Sequence, residues 1–382
     1  MELYVTVDLG SSLIKVLYAN DTSGLPQYLA IEPEIIEVPE SCLRDFRRND
    51  FQGHAEDHAF VGFDSRYYAV GRLARRKFKS TTDLALLKSN YAVQRILTAV
   101  SIAVEKLGMG RKVKLFLYCL LPPGELKDRD ILDRDLTTAL ASFDTPIGKL
   151  QAKLMYFSCH PEGGGLAMHY QKCFPECRDR VLGIVMMGHR NVSTYLVDRG
   201  VPATYKSSDL GFVSMVREIQ SNTSGYSEYD ITRSVARYLL AEISESASNP
   251  KYLYDLLLKT KDVDRKQELE QLVDTIESAK KMYWRSISQW LNTQLSEVTD
   301  ILIGGGTCRI FTKEFRGYTW NLPKIIGKPE SRSFLNAGLA YGECTLIPSE
   351  LRDRYADAQC LWDSGLMPVV REYQGRKQVS KK

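Results

Sequence analysis

The feature that most limits how this chain can fold is a strand–turn–strand unit that occurs twice, roughly 180 residues apart, a distance that implies two similar halves and not a solenoid of short units. In the first copy Val5 and Val7 alternate with Tyr4 and Thr6, the period of two that marks a strand. Asp8-Leu9-Gly10-Ser11-Ser12 then supplies a turn, and Leu13-Ile14-Lys15-Val16-Leu17 reads as the return strand. In the second copy Val181 to Met187 is a buried strand, Gly188-His189-Arg190-Asn191 a polar turn, and Val192 to Val197 the return strand. Asp198-Arg199-Gly200 turns the chain again.

The turns carry the candidate chemistry. Gly10 lets the backbone approach a ligand closely. The amides and hydroxyls of Ser11 and Ser12 would line a small anion-binding concavity. Asp8, at the strand end, is placed to hold a hydrated cation beside a phosphate, and Lys15 adds positive charge across the turn. An ordinary hairpin with a turn-forming Asp and Gly is the competing reading, because short Gly-rich motifs are weakly specific.

Composition narrows the function classes. A chain of 382 residues with 44% hydrophobic content can bury two sizeable cores. Fifty-one basic against 47 acidic residues leave a net charge of +4, a weak field that argues against a dedicated nucleic-acid binder. No apolar run reaches the ~18 residues of a transmembrane span. The N-terminus passes through Glu2 straight into a strand, unlike a secretory signal. The eight cysteines lie mostly in apolar segments such as Leu117-Tyr118-Cys119-Leu120, so reduced thiols and a cytoplasmic location are expected.

Residues 1–80 read as β-rich, with an exposed loop over 45–58 and another short strand at Tyr67-Tyr68-Ala69-Val70. The cluster Arg72, Arg75, Arg76, Lys77 and Lys79 reads as a solvated basic face. Helical spacing over 83–107 stops at Gly108 and Gly110. Lys114 to Leu121 is a near-continuous apolar run closed by Pro122-Pro123-Gly124, hence a buried central strand. A helical pattern over 125–142 precedes the strand Lys153 to Cys159, which delivers His160-Pro161-Glu162-Gly163-Gly164-Gly165. Glu162 there is either a general base or water-orienting group, or a solvent-exposed turn acid.

Residues 210–245 and 251–297 read as largely helical, with Leu269, Leu272, Ile276, Ala279, Tyr283, Ile287 and Trp290 forming a core-facing stripe. The strand from Thr299 ends in Gly304-Gly305-Gly306, where bare backbone can lie flat against a nucleotide's base and sugar; a tight turn alone also fits. Residues 333–342 read as a small-residue helix, and the basic tail from Val369 as disordered. Cys159, His160, His169, Cys173 and Cys177 crowd together as a zinc alternative, at a spacing that matches no standard finger.

The order of these segments resembles the actin-like ATPase superfamily, and within it the ParM-like bacterial actins of plasmid segregation. The resemblance covers residues 1 to about 345. Asp8 to Lys15 looks like the first phosphate motif, and His160-Pro161-Glu162-Gly163 like the segment carrying the catalytic glutamate. Gly188 to Ser193 falls at the second phosphate motif, Ser208 to Phe212 at the segment after it, and Ile303-Gly304-Gly305-Gly306 at the adenosine motif. The resemblance implies an α/β, actin-like (ribonuclease H-like, duplicated) two-domain fold with an interdomain nucleotide cleft. Domain I would span 1–178, completed by about 331–360; domain II would span 179–330; and 361–382 would be a disordered basic tail. It also implies a cytoplasmic ATPase that polymerises into nucleotide-dependent cytoskeletal filaments, for plasmid or DNA segregation or a related role such as cell shape.

By the same resemblance Glu162 is catalytic. Asp8, Gly10, Ser11, Ser12, Lys15, Gly188, His189, Arg190, Asn191, Gly304, Gly305 and Gly306 bind ATP or ADP, and Asp8 holds Mg²⁺ through water. The implied partners are further copies of the chain and an adaptor protein linking the filament to DNA or other cargo, with no direct nucleic-acid binding.

One departure bears on hydrolysis. The family's second phosphate motif begins with an aspartate followed by two glycines; here Met186 stands at the acid, His189 at the second glycine and Ser193 at a later aspartate. Methionine cannot hold a water on Mg²⁺, so the metal would depend on Asp8, phosphate oxygens and water. His189 and Arg190 would then contact phosphate directly. A slow ATPase and a non-hydrolysing actin-like scaffold both remain open. A sugar kinase shares the fold class but lacks an evident sugar-binding acid near the first hairpin, and no G-x-x-x-x-G-K-[ST] occurs.

Overall fold

The computed structural model describes all residues except 23, 47–52, 82–85, 176–178, 224, 246–249, 322–332, 337–345, 349–350 and 380–382. The alternating valines build β1 (Glu2–Leu9), which pairs antiparallel with β2 (Ile14–Ala19), and β2 pairs antiparallel with β3 (Gln27–Ile31). A small separate sheet follows, made of β4 (Ile35–Val38), β5 (Phe60–Phe63) and β6 (Arg66–Val70). The segment expected as an exposed loop contains short 3-10 turns, Glu40–Phe46 and Ala55–His58; residues 47–52 lie outside the described residues. The basic cluster falls on α1 (Arg72–Phe78), where Arg72 pairs with Asp57 at 2.7 Å and Arg75 with Glu32 at 2.6 Å, so that face is partly neutralised.

The next helical pattern resolves into a 3-10 turn, Lys88–Tyr91, and α2 (Ala92–Lys106). The apolar run becomes β7 (Lys112–Leu121), parallel to β1 on one side and to β8 (Gln151–Pro161) on the other. Between β7 and β8 lie a 3-10 turn, Pro123–Asp128, and α3 (Arg129–Leu140). Ile96, Leu97 and Val100 of α2 belong to the same buried cluster as Val5, Val7, Leu115 and Leu117 of the sheet. After Glu162 and Gly163, α4 (Gly164–Cys173) begins at once.

The second half repeats the plan. β9 (Val181–Met187), β10 (Val192–Asp198) and β11 (Val201–Ser208) run antiparallel in series, so the turn at 198–200 leads into a third strand that the sequence pattern had not indicated. Then come α5 (Phe212–Ser221), α6 (Glu228–Glu245), α7 (Asp262–Gln294), β12 (Asp300–Gly304), α8 (Thr312–Asn321) and β13 (Ser333–Asn336). Leu272, Ile276, Ala279, Tyr283 and Ile287 of α7 are buried, with Leu269 and Trp290 packed at the margin. The expected helix at 333–342 is corrected in part: residues 333–336 are a strand parallel to β12, where ladder pairing prevails over helix propensity. Residues 337–345 lie outside the described residues.

The two sheets have the orders β3-β2-β1-β7-β8 and β11-β10-β9-β12-β13. Each is an antiparallel meander of three strands followed by two parallel additions, the duplicated ribonuclease H-like arrangement. The chain divides into one unit of Met1–Arg178 with Ala337–Lys382 and another of Asp179–Asn336. The first is completed by α9 (Arg352–Leu361), a π-helical turn at Trp362–Leu366 and α10 (Met367–Val379). The expectation of a disordered tail from 361 is therefore corrected through Val379. Trp362, Leu366 and Val370 recur every four residues and bury with Tyr4, Phe116 and Tyr118. That stripe outweighs the basic residues around it. Among the described residues no helix is long and apolar enough to cross a membrane.

Candidate functional site

The two hairpins close in the same register. The last pair of β1 and β2 is Leu9 with Ile14, leaving residues 10–13 as the loop. The last pair of β9 and β10 is Met187 with Val192, leaving residues 188–191. Each loop opens on a glycine for the same steric reason. A Cβ on Gly10 would strike the Leu13 carbonyl, and one on Gly188 would lie 2.9 Å from the Asn191 carbonyl. The register also sets Met186 where β1 has Asp8, since Asp8 faces Lys15 and Met186 faces Ser193. The second hairpin thus has neither the acid nor the lysine of the first.

In the first unit Asp8 is buried and ion-paired with Lys15. Ser12, on the loop, accepts a hydrogen bond from Arg354 at 2.7 Å. Glu162 follows β8 directly, and its N–H donates to the Leu121 carbonyl at 2.9 Å, which fixes it beside the end of β7. Its carboxylate forms an ion pair with Lys88, the two side chains being only 11% and 7% exposed. The exposed-turn-acid reading of Glu162 therefore does not hold. Burial alone would lower the pKa of the Lys88 ammonium; the Glu162 carboxylate, and Asp8 after it, reverse this and hold it above its ordinary value. The turn bearing Lys88 is pinned by buried Glu125, which accepts the Ser89 N–H at 2.7 Å.

The sequence motifs did not include Lys88. Its signal was a lysine opening a helical turn, where the helix dipole disfavours a cation. They missed α9 as well. Asp357 of α9 is buried and accepts the N–H groups of Gly163 at 2.6 Å and Leu166 at 3.0 Å, so it caps α4 from a remote part of the chain. Burial, with Asp8 and Glu162 acting the same way at longer range, raises its carboxyl to about 7 against those two hydrogen bonds. Gly165 lets α4 lie directly on α9, because a Cβ there would strike the Asp357 carbonyl and lie 2.7 Å from the Leu361 nitrogen.

In the second unit the loop at 188–191 is held by the start of α5. Phe212 N–H donates to the Gly188 carbonyl at 3.1 Å and Val213 N–H to the His189 carbonyl at 2.9 Å. Gly211 packs on the backbone of Arg190, and the His189 ring lies 6.4 Å from that of Phe212. Asn191 donates to Ser207 Oγ at 2.7 Å, so its side chain is tied to β11. The glycine turn after β12 comes to the same end of the sheet. Gly305 has φ +90°, and a Cβ on it would lie 2.5 Å from the Met187 carbonyl. Gly304, Gly305 and Gly306 therefore neighbour Gly188, while Asp8, Gly10, Ser11, Ser12, Lys15 and Glu162 gather in the first unit.

Among the described residues no group of three or more His, Cys, Asp or Glu side chains could hold a metal ion, and Cys177 of the zinc alternative lies outside them. His160 Nε2 lies 2.9 Å from Ser158 Oγ with its ring stacked on Tyr118, and His169 Nδ1 lies 3.0 Å from Ser364 Oγ. Asp8 is a single carboxylate at a loop of hydroxyls and amides. That donor set fits a strongly hydrated Mg²⁺, which needs few protein ligands when phosphate supplies others.

No protein-family model matches the sequence, and no curated protein matches it. Solved structures do match. Bacillus thuringiensis ParM with ATP is 14% identical at a TM-score of 0.60, over 96% of this chain and 99% of that one. A 15-stranded ParM filament from Clostridium botulinum is 14% identical at 0.52, over 86% and 95%. The Alp12 filament protein is 14% identical at 0.55, over 97% and 99%. With these matches running over nearly the whole of both chains, this chain has the two-domain actin-like fold of the ParM-type proteins.

Proposed function

We propose that this chain is an actin-like ATPase that binds ATP or ADP and polymerises into filaments. The observation that carries the reading is the meeting, in the first unit, of the Gly10–Leu13 loop, Asp8 with Lys15, and buried Glu162 with Lys88. The loop amides and the Ser11 and Ser12 hydroxyls receive phosphate oxygens, and Lys15 balances their charge. Glu162 orients the attacking water, because phosphoryl transfer depends on positioning and charge stabilisation more than on covalent chemistry. Lys88 holds that carboxylate in place through their ion pair. Gly188, His189, Arg190 and Asn191 serve the phosphates from the second hairpin, and Gly304, Gly305 and Gly306 the adenosine. Asp8 would hold Mg²⁺ through water; when bound, the ion supplies further neutralisation of the polyphosphate. Two structural relatives, a ParM with ATP and a ParM filament, support both halves of this reading.

A filament of this kind would work in the cytoplasm and carry DNA or other cargo through an adaptor protein, since a net charge of +4 offers little for direct nucleic-acid binding. The test is light scattering and electron microscopy of purified chain with ATP and Mg²⁺, with phosphate release followed in the same sample. Polymer with phosphate release is expected. Scattering that stays flat at micromolar protein and saturating ATP would reject filament formation. Met186 and Ser193 favour a second reading, a scaffold that polymerises on ATP without hydrolysing it. Polymer without phosphate release would select it.

A further inference from the structure

Arg354 lies on α9, a helix that none of the nucleotide motifs reaches. Its guanidinium donates to Ser12 Oγ at 2.7 Å, a neutral partner. The carboxylate that acts on it, Asp8, is already ion-paired with Lys15. Arginine stays protonated in proteins. Among the described residues the hydrogen-bond partner of this partly buried positive charge on the phosphate-type loop is a hydroxyl, and a cation withdrawn from water in that way is stabilised by an incoming anion.

The mount is rigid. Three residues further along α9, Asp357 is fixed to the backbone of Gly163 and Leu166, and Tyr355 donates to the Leu29 carbonyl. The internal repeat gives an independent indication. Residues 10–13 and 188–191 are loops of equal length in equal register, and the third position of the second loop is Arg190 where the first has Ser12. One loop carries its own arginine at that position. The other receives one from α9.

We infer that Arg354 is a phosphate-binding residue of the nucleotide site, its guanidinium taking an oxygen of the polyphosphate seated on the Gly10–Leu13 loop. The inference rests on the ATP-binding reading above and adds a residue to it. Fork-shaped charge-assisted hydrogen bonding suits arginine better than lysine here, so the conservative change should restore binding only in part.

The experiment is titration calorimetry of the full chain with ATP and with adenosine, for the parent, Arg354→Ala and Arg354→Lys. Loss of one hydrogen bond to a charged group should weaken ATP about 10- to 100-fold in Arg354→Ala, with adenosine affinity unchanged and Arg354→Lys intermediate. A parent that binds ATP alongside an Arg354→Ala chain that binds it equally well would overturn the assignment of Arg354 alone. Equal losses for ATP and adenosine would also overturn it, as a merely structural role. A parent that binds no ATP would overturn the ATP-binding reading and this inference with it.

Discussion

Removing the Lys88 ammonium leaves the Glu162 carboxylate buried without its counter-ion. Breaking one partner of such a pair costs about 3–5 kcal/mol, whereas replacing both with neutral groups is far milder. Lys88→Met should therefore lower the urea midpoint markedly, and the double variant Lys88→Met, Glu162→Gln should recover much of the loss. Equal midpoints for the single and double variants would contradict the pair. On activity, Glu162→Gln should slow phosphate release about 10²-fold while ATP affinity in calorimetry stays close to the parent's. Asp357 gives a pH signature. Its carboxyl is raised by burial to about 7, so the folded chain holds that proton more tightly than the unfolded one. Its stabilising contribution is full below the unfolded-chain value, about 4, and is lost as pH rises through about 7. The thermal midpoint should decline over that window, and Asp357→Asn should flatten this part of the profile. An unaltered profile in Asp357→Asn would refute the assignment.

The segment holding Glu162 depends on how α4 meets α9. At Gly165 the two nearest atoms that a Cβ would meet are backbone, which cannot move aside as a side chain would. Gly165→Ala should cost about 1–3 kcal/mol by overpacking and lower the thermal midpoint, with weaker ATP binding as Asp357 and Arg354 shift together. A midpoint equal to the parent's would show that the two helices can separate freely. In the sequence Gly163 to Gly165 were legible only as a glycine run beside Glu162. What they approach was not, because α9 lies roughly 190 residues further along the chain and hydrogen bonds at that separation leave no periodic trace. The tail shows the reverse failure. Its apolar stripe at Trp362, Leu366 and Val370 was present in the sequence, but the surrounding basic residues read as a solvated end.

On the proposed function, nucleotide would act on the chain by binding one of its states better than another, because a ligand shifts an equilibrium only in that way. Copies repeating head to tail without ring closure form an open filament. If hydrolysis by Glu162 drives disassembly, filaments of Glu162→Gln formed in ATP should outlast those of the parent. Filament lifetime and phosphate release measured together check this; equal lifetimes despite slowed release would separate disassembly from hydrolysis.

The duplicated hairpins, the central strand ending at Leu121, the strand that delivers Glu162 and the glycine turn at Gly304 to Gly306 were all legible from the residues, because period-two alternation, bare glycine backbone and apolar runs are local properties. Fold class followed from their order. The partners of the site were not legible. Lys88 against Glu162, Asp357 capping α4 and Arg354 on Ser12 join segments distant in sequence. Such pairs arise only when the sheet order brings strand ends together and a late helix packs across them. A cation and a carboxylate 74 residues apart carry no sign of each other until the chain is folded.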